Sequence, residues 1–152
     1  MDFIKGEAPK GCIFCDLPAQ KNDRENLIVH RGKLAYIILN KFPYNNGHLL
    51  IVPNTHAARY LDVADDVWTE MHTLTKLGMR ALDARVKPHG YNVGMNLGEA
   101  AGAGVKDHLH IHIVPRWGGD TNFLPVLADT KCMPQHLLTS FDELAPWFAE
   151  NR

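Results

Sequence analysis

A run of three histidines that alternate with aliphatic residues constrains this chain more than any other feature. The run reads Asp107-His108-Leu109-His110-Ile111-His112-Ile113-Val114-Pro115-Arg116. Alternation with a period of two is typical of a β-strand, where side chains at positions i, i+2 and i+4 point to one face. The pattern therefore predicts a strand with its three imidazoles on one face, about 7 Å apart at each step, and its aliphatic side chains in the core. Such a row of imidazoles can bind metal, bind phosphate or attack phosphorus.

Length, charge and cysteine content limit the class of protein. The chain has 152 residues, which predicts a single domain, 1–152, with enough length for a hydrophobic core. A formal net charge of −1 gives no reason to expect nucleic acid or an anionic membrane as a partner. Residues 1–7 lack the apolar block of a signal peptide, and no apolar run approaches membrane-spanning length. Three cysteines, an odd number, favour a reducing cytoplasm over a disulfide framework.

Periodicity predicts the other elements. β-rich runs indicate four further strands, at residues 27–30, 34–39, 48–52 and 91–97. Apolar residues recur every three or four positions over residues 65–86, which predicts a long amphipathic helix. A shorter last helix is expected to begin with a capping box formed by Ser140 and Glu143. The predicted fold is α+β, an antiparallel sheet of about five strands with one long and one shorter helix.

A loop of small residues leads into the histidine run. It reads Gly98-Glu99-Ala100-Ala101-Gly102-Ala103-Gly104-Val105-Lys106. Small residues let backbone amides approach an anion closely, so the loop can bind phosphate. The alternative is a flexible hairpin loop without chemistry, and the adjacent histidines favour the phosphate-binding interpretation.

Cys12 and Cys15 stand at the C-x₂-C spacing of metal-binding and redox motifs. Two thiols supply half of a tetrahedral zinc site. A redox pair is the competing interpretation, although such a pair is typical of a βαβ context that this sequence does not show. Two buried, unreactive thiols are the third. The spacing favours zinc and leaves the other two open.

Two blocks of the chain resemble the histidine triad (HIT) superfamily. The signature of that superfamily, His-φ-His-φ-His-φ-φ with φ apolar, is matched at every position from His108 to Val114. A second block, residues 40–56, is similar to the superfamily's strand–turn–strand segment. The resemblance extends from about Cys12 to Phe123 and implies a HIT-like fold, a small-molecule nucleotide substrate and a homodimer. The apolar faces of the two predicted helices, which carry Met71, Leu74 and Trp147, are expected to be buried by the partner in that dimer.

The resemblance also implies roles for individual residues. His110 corresponds to the nucleophile, which attacks phosphorus and forms a covalent nucleotidyl-histidine. The nucleotide- and phosphate-binding residues expected are His112, His48, Asn40 and Asn96, to which the glycine-rich loop adds the amide of Gly104. The zinc ligands expected are Cys12, Cys15, His56 and His108. We therefore expect a structural Zn²⁺ and no organic cofactor.

The glycine-rich loop departs from many HIT hydrolases, which carry Gln followed by Ser or Thr where this chain has only Ala, Gly and Val. In this respect it is similar to the branch that contains dinucleoside tetraphosphate phosphorylases. We expect an enzyme that cleaves dinucleoside polyphosphates or related nucleotidyl compounds, with water or orthophosphate as the acceptor. Arg116 and the Gly118-Gly119 turn are expected to help bind a second phosphate.

Two other functions fit the same residues. One is a nucleotide-binding regulatory module with little turnover. The other is a zinc hydrolase in which His108, His110 and His112 are three ligands around an open coordination position.

Overall fold

The computed structural model describes residues 11–121 and 135–151. Its helices and strands, in chain order, are α1 Ile13–Ala19, β1 Ile28–Arg31, β2 Ala35–Leu39, β3 Leu49–Pro53, α2 Asp65–Arg85, β4 Gly90–Gly94, β5 Ile111–Arg116 and α3 Leu137–Glu150. Short 3₁₀ helices cover Tyr60–Asp62 and Glu99–Ala101. The strands form one antiparallel sheet in the order β1-β2-β3-β5-β4. The predicted α+β fold is confirmed, and α1 is an additional helix that the periodicity did not predict.

The two faces of the sheet have different neighbours. Cross-strand pairing sets Ile38 opposite Leu50 and Leu50 opposite His112, so these three side chains share one face. Helix α2 packs against β2, β3 and β5 on the other face. A Cβ atom at Gly78 of α2 would lie only 3.2 Å from Cδ1 of Ile113. Gly78 therefore allows α2 to approach the sheet more closely than a residue with a side chain would.

Helix α2 has the apolar stripe that the sequence predicts. Its buried residues recur at three- and four-residue intervals: Val67, Met71, Leu74, Thr75, Gly78, Ala81 and Leu82. Each large side chain in such a stripe stabilises the fold by about 1.5–3 kcal/mol when it leaves water. The helix ends at Arg85, just before Pro88, which cannot continue it. No helix in the described part of the chain combines the length and the apolar composition needed to cross a membrane.

The histidine run is only partly a strand. Because β5 begins at Ile111, His108 and His110 lie in the segment before it, and the prediction of one continuous strand is wrong there. In this segment the N–H of Leu109 donates to the carbonyl oxygen of Ala57 at 2.8 Å, a contact outside the sheet ladder. His108 therefore lies outside the sheet ladder, and its ring is next to the amino-terminal cysteines.

Helix α3 begins earlier than predicted. Its first residue is Leu137, and the side chain of His136 caps it by accepting the N–H of Leu138. Ser140 lies inside the helix, is buried, and places its Oγ 2.8 Å from Oε1 of Gln135. The predicted capping box is therefore wrong, because Ser140 lies inside the helix and its hydroxyl donates to the side chain of Gln135 rather than accepting from a free backbone amide.

Candidate active site

A cavity of about 730 Å³ opens on the face of the sheet that carries His112. Its polar lining includes Asn40, His110, His112 and the backbone around Gly104. Apolar walls come from α1, the sheet and α3: Ile13, Phe14, Leu17, Leu27, Ile38, Leu39, Leu50, Val105, Leu137 and Leu138. A volume of this size lies within the range of about 300–1,000 Å³ that is usual for small-molecule sites.

His110 is held in one tautomer by the backbone. Its Nδ1 lies 2.9 Å from the carbonyl oxygen of His108. A carbonyl oxygen only accepts, so Nδ1 carries the hydrogen, and Nε2 of the neutral ring keeps its lone pair. Burial lowers the pKa of His110, and the hydrogen bond to the carbonyl oxygen opposes part of that shift. The imidazole is thus neutral near pH 7 and nucleophilic at Nε2.

A chain of hydrogen bonds also sets the tautomer of His112. The backbone N–H of Tyr44 donates to Nδ1 of His48 at 2.9 Å, so the hydrogen of the His48 ring lies on Nε2. Nε2 of His48 is 2.9 Å from Nδ1 of His112 and donates to it. The neutral His112 ring therefore carries its own hydrogen on Nε2.

The Nε2–H of His112 has no hydrogen-bond partner among the described residues, although the atom is buried. Burial, followed by the nearby His110, lowers the pKa of His112 to about 4, so the ring is neutral near pH 7. A buried donor without a partner costs about 1–3 kcal/mol. Because His112 lines the cavity, its Nε2–H is a donor suited to an anionic oxygen that enters there.

Tyr44 contributes to the site and was not predicted from the sequence. Its ring stacks on His112 with centroids 5.5 Å apart and planes 12° apart, and its centroid lies 4.7 Å from that of His48. Tyr44 precedes the tight turn at Gly47, whose φ of +71° favours glycine. An aromatic residue beside a turn is usually a surface residue, and only its place four positions before His48 hinted at another role.

Of the other predicted binding residues, two line the cavity and one does not. Asn40 lines the cavity, with its Nδ2 3.3 Å from Nδ1 of His48. Gly104 also lines it, next to Val105. Asn96 is not part of the lining, and its Nδ2 is 3.5 Å from the carbonyl oxygen of Gly102. Asn96 therefore contacts the glycine-rich loop, while Gly104 presents that loop to the cavity.

Arg116 does not line the cavity. Its guanidinium makes a two-point ion pair with Asp120 at 2.7 and 2.8 Å and donates to Asn92 Oδ1 at 2.6 Å. It lies four positions after His112, a distance of about 13 Å along β5. These contacts argue against the expected role of Arg116 in binding a second phosphate.

Cys12, Cys15, His56 and His108 form a compact cluster whose four ligand atoms all lie within 4.8 Å of one another. Nδ1 of His108 is 3.2 Å from Sγ of Cys12 and 3.6 Å from Sγ of Cys15. Nδ1 of His56 is 3.5 Å from Sγ of Cys15. Tetrahedral zinc, with Zn–S near 2.3 Å and Zn–N near 2.0–2.1 Å, separates sulfur and nitrogen ligands by about 3.5 Å. The cluster therefore fits zinc in both donor set and spacing.

The tautomer of His108 suits this ligand set. Its Nε2 donates to the carbonyl oxygen of Pro53 at 2.9 Å, which leaves the lone pair of Nδ1 directed at the two thiols. Burial is the main cause that lowers the pKa of His108, so the ring is neutral as a metal ligand must be. Among residues 11–121 and 135–151, this cluster is the only group of three or more His, Cys, Asp or Glu side chains that could hold a metal. A three-histidine zinc site is thus not formed by the described residues.

Comparisons with known proteins agree with this geometry. The family model described as HIT domain matches residues 21–119. An AP-4-A phosphorylase of Mycobacterium tuberculosis is 44% identical over 124 residues, which are 82% of this chain and 63% of that protein. The chain thus spans less than two thirds of the length of this relative. The adenosine 5'-monophosphoramidase hnt1 of Schizosaccharomyces pombe is 32% identical over 69% of this chain and 74% of its own length.

The fold also matches a solved structure. A Zn-bound histidine triad family protein from Mycobacterium smegmatis superposes with a TM-score of 0.74 and 23% identity, covering 93% of this chain and 95% of that one. The family match covers most of the chain, including both histidine-bearing blocks. The chain belongs to the HIT family.

Proposed function

We propose that this protein cleaves dinucleoside polyphosphates, or related nucleotidyl compounds, through a covalent nucleotidyl-His110 intermediate. The observation that carries the proposal is the pairing of two opposite tautomers in one cavity. His110 offers a lone pair at Nε2, and His112 offers an unpartnered hydrogen at Nε2. With ring centroids 4.8 Å apart, the nucleophile and the donor can reach the same phosphate group.

The first step forms one bond and breaks another. Nε2 of His110 attacks the α-phosphorus, a nitrogen–phosphorus bond forms, and the bond from phosphorus to the bridging oxygen breaks. With diadenosine tetraphosphate the leaving group is ATP, and adenylate remains on His110. The Nε2–H of His112 and the amides near Gly104 stabilise the negative charge on the phosphoryl oxygens during the transfer.

Other cavity residues bind the nucleoside and the polyphosphate. Asn40 reaches the ribose, and the apolar walls from α1 and α3 enclose the base. Lys41 lines the same cavity and supplies a positive charge for the phosphates that leave. Asn96 acts on the phosphate indirectly, by holding Gly102 and hence the shape of the loop.

The second step transfers adenylate from His110 to an acceptor. Water as acceptor gives AMP, and orthophosphate gives ADP. Orthophosphate is supported by the similarity to an AP-4-A phosphorylase and by a loop whose small side chains leave room for a second anion. Because Arg116 is engaged with Asp120, the acceptor phosphate must bind at the loop amides and Lys41 instead.

Product analysis tests the proposal. The protein is incubated with diadenosine tetraphosphate, with and without millimolar orthophosphate, and the nucleotides are separated by chromatography. We expect ATP with AMP in the absence of phosphate and ATP with ADP in its presence. AMP at every phosphate concentration would identify a plain hydrolase. Binding without turnover of any dinucleoside polyphosphate or nucleoside phosphoramidate would identify a regulatory module and refute the enzyme.

We further propose a structural zinc ion at Cys12, Cys15, His56 and His108. It would tie the segment before β1 to the sheet, because its ligands come from three separate parts of the chain. Metal analysis of the purified protein should find about one zinc per chain. A Cys12→Ser, Cys15→Ser double variant should lose the metal and melt at a lower temperature. Retention of stoichiometric zinc by that variant would contradict the assignment.

A further inference from the structure

The zinc-binding cluster and the nucleophile are joined directly through His108. The ring of His108 presents Nδ1 to the thiols of Cys12 and Cys15. Its carbonyl oxygen, on the same residue, accepts the Nδ1–H of His110 at 2.9 Å. One residue therefore contributes to the metal site and fixes the tautomer of the nucleophile.

Phe14 makes a second connection. It lies between Cys12 and Cys15 and is only 5% exposed. The centroid of its ring is 5.0 Å from that of His110 and 5.7 Å from that of His108. Phe14 thus packs against the nucleophile, while the cysteines on either side of it belong to the metal cluster.

Helix α1, which carries Phe14, has little stability of its own. It has seven residues, contains Pro18, and receives no side-chain cap from Cys12. A helix this short depends on tertiary contacts, because the free-energy cost of forming the first turn exceeds the free energy gained from its few hydrogen bonds. In one such contact, the hydroxyl of Tyr36 donates to the carbonyl oxygen of Phe14 at 2.7 Å. In another, the side-chain amide of Asn26 donates to the carbonyl oxygen of Leu17 at 2.9 Å. A third is the guanidinium of Arg31, which donates to the carbonyl oxygen of Pro18 at 2.8 Å. The metal cluster is a further anchor, and it can be removed without a change of sequence.

We propose that Phe14 is a positioning residue through which metal binding at the cluster controls the chemical step. With the cluster filled, α1 is fixed, and the ring of Phe14 holds the imidazole of His110 in the orientation for attack. Without metal, α1 loosens, and both the wall formed by Ile13 and Leu17 and the orientation of His110 are lost. The inference rests on the proposed function for its kinetic consequences, but the structural coupling can be measured without turnover.

The first test compares two phenylalanines in the zinc-loaded enzyme. Phe14→Leu should slow a single turnover of saturating diadenosine tetraphosphate by about tenfold or more, because displacement of a nucleophile by about 1 Å can cost up to 10²-fold. Phe148→Leu is the matched control, since Phe148 is also buried but lies in α3 and does not line the cavity. We expect its single-turnover rate to stay within about twofold of the parent. Equal rates for the two variants would overturn the role of Phe14.

The second test combines the Phe14 substitution with removal of zinc by a chelator. If both act through the same contact, their effects are not additive. Zinc removal should slow the parent about as much as Phe14→Leu does, and should slow Phe14→Leu little further. Full additivity of the two losses would overturn the coupling, because it would mean that the metal acts by another route.

The third test uses the parent protein and needs neither turnover nor a variant. In ¹⁵N-histidine spectra at pH 7.5, the zinc-loaded protein should show His110 with hydrogen on Nδ1 only. Removal of zinc should replace that pattern by averaged tautomers. An unchanged His110 pattern without zinc would overturn the proposal, even if the Phe14→Leu variant failed to fold.

Linkage provides the reciprocal measurement. A ligand whose affinity depends on zinc must change the affinity for zinc by the same factor. In competition with a chromogenic chelator, the apparent affinity of the protein for zinc should therefore be higher by about fivefold or more when AMP saturates the cavity. Equal transfer with and without AMP would contradict the coupling. If calorimetry shows that AMP does not bind, the proposed function fails, and the histidine spectra alone decide the coupling.

Discussion

At the scale of single residues, the site depends on where two hydrogens lie. The backbone places one on Nδ1 of His110 and, through His48, another on Nε2 of His112. In the proposed mechanism, two chemically identical side chains two residues apart thereby act as a nucleophile and a hydrogen-bond donor. The same protein backbone that builds the fold assigns these roles, because carbonyl oxygens only accept and amide N–H groups only donate.

His110→Ala should abolish turnover, because no other described group in the cavity combines burial with a free imidazole lone pair fixed toward it. Loss of a covalent nucleophile costs on the order of 10⁴ or more in rate. Binding of AMP, measured by calorimetry, should change little. His72→Ala, at an exposed position on α2, is the control and should retain the parent rate. A rate for His110→Ala within tenfold of the parent would refute the assignment.

His112 should make the stability of the fold depend on pH. Its pKa is lowered to about 4 in the folded protein, against about 6.5 in an unfolded chain. Between these values the unfolded chain binds more protons, so stability is highest above pH 6.5 and falls as the pH decreases toward 4. Between pH 7.5 and 5, calorimetry should show a smaller loss of melting temperature for a His112→Asn variant than for the parent. The contributions of His108 and His110 are present in both proteins.

The control for that experiment is His72→Asn, which makes the same substitution at an exposed position of α2. When the pH is lowered from 7.5 to 5, its melting temperature should fall as steeply as that of the parent. A His112→Asn curve parallel to the parent curve would show that His112 does not titrate as its burial indicates.

At the scale of elements, the substrate cavity is built partly outside the matched family domain. The HIT match covers residues 21–119, whereas α1 and α3 lie before and after it and both supply residues of the apolar wall. Helix α3 is attached to the remaining chain by the ion pair of Arg24 with Asp142 and by the contact of Ser140 with Asn46. We therefore expect the shared core to supply the chemistry and these two helices to influence which nucleoside fits.

Leu138→Ala should weaken substrate binding more than it slows the chemistry. Leu138 lines the cavity from α3, and removal of its methyl groups should lose contact with the bound nucleoside. We expect KM to rise about tenfold while kcat stays within about twofold, because a few methyl groups in a pocket contribute about 1–3 kcal/mol to binding.

Thr139→Ala is the matched control for Leu138→Ala, since the neighbouring Thr139 is exposed and does not line the cavity. Steady-state kinetics with diadenosine tetraphosphate distinguish the two variants. An unchanged KM in Leu138→Ala, or an equal rise in Thr139→Ala, would show that α3 does not contact the nucleoside.

At the scale of the whole molecule, the sheet has one edge without a neighbour among the described residues. Strand β1 packs against α3, whereas β4 pairs only with β5 and has exposed residues at its end. Val93 on β4 is 48% exposed, and Leu97 just beyond it is 44% exposed. An apolar sheet edge of this kind favours pairing with another strand. We propose that a homodimer forms along β4.

This surface replaces the one that the sequence suggested. The sequence predicts that the apolar faces of the two helices meet a partner, but Met71 and Leu74 of α2 are buried within the chain. Trp147 packs partly against the same core. The physical reason is that amphipathic periodicity marks a buried stripe and does not show whether the chain itself or a partner buries it.

Light scattering at micromolar concentration should report a dimer for the parent and a monomer for Val93→Lys, because a lysine on the edge strand opposes strand pairing. Leu61→Lys is the control, since Leu61 is 83% exposed and lies in the segment between β3 and α2. It should remain a dimer. A monomeric parent, or a dimeric Val93→Lys, would exclude β4 as the interface.

The prediction of one domain over residues 1–152 likewise stays a proposal.

The sequence by itself determined the strands, the long helix and the chemistry-bearing residue types. These follow from local periodicity, since alternation and three-to-four spacing reflect which side chains face the core. The family resemblance grouped Cys12, Cys15, His56 and His108 as expected ligands, and the structure places their ligand atoms within 4.8 Å of one another. The sequence pattern could not show that β5 begins only at Ile111, so that His108 and His110 precede the strand.

Only the tertiary structure decided how the site works. Cys12 meets His108 across 96 residues of sequence, and α1 and α3 close the cavity from opposite ends of the chain. The tautomers of His110 and His112 and the engagement of Arg116 depend on partners that no local pattern identifies. The reason is physical: the hydrogen bonds and the burial of a side chain depend on the distant segments that pack around it. A local sequence pattern does not show which segments these are.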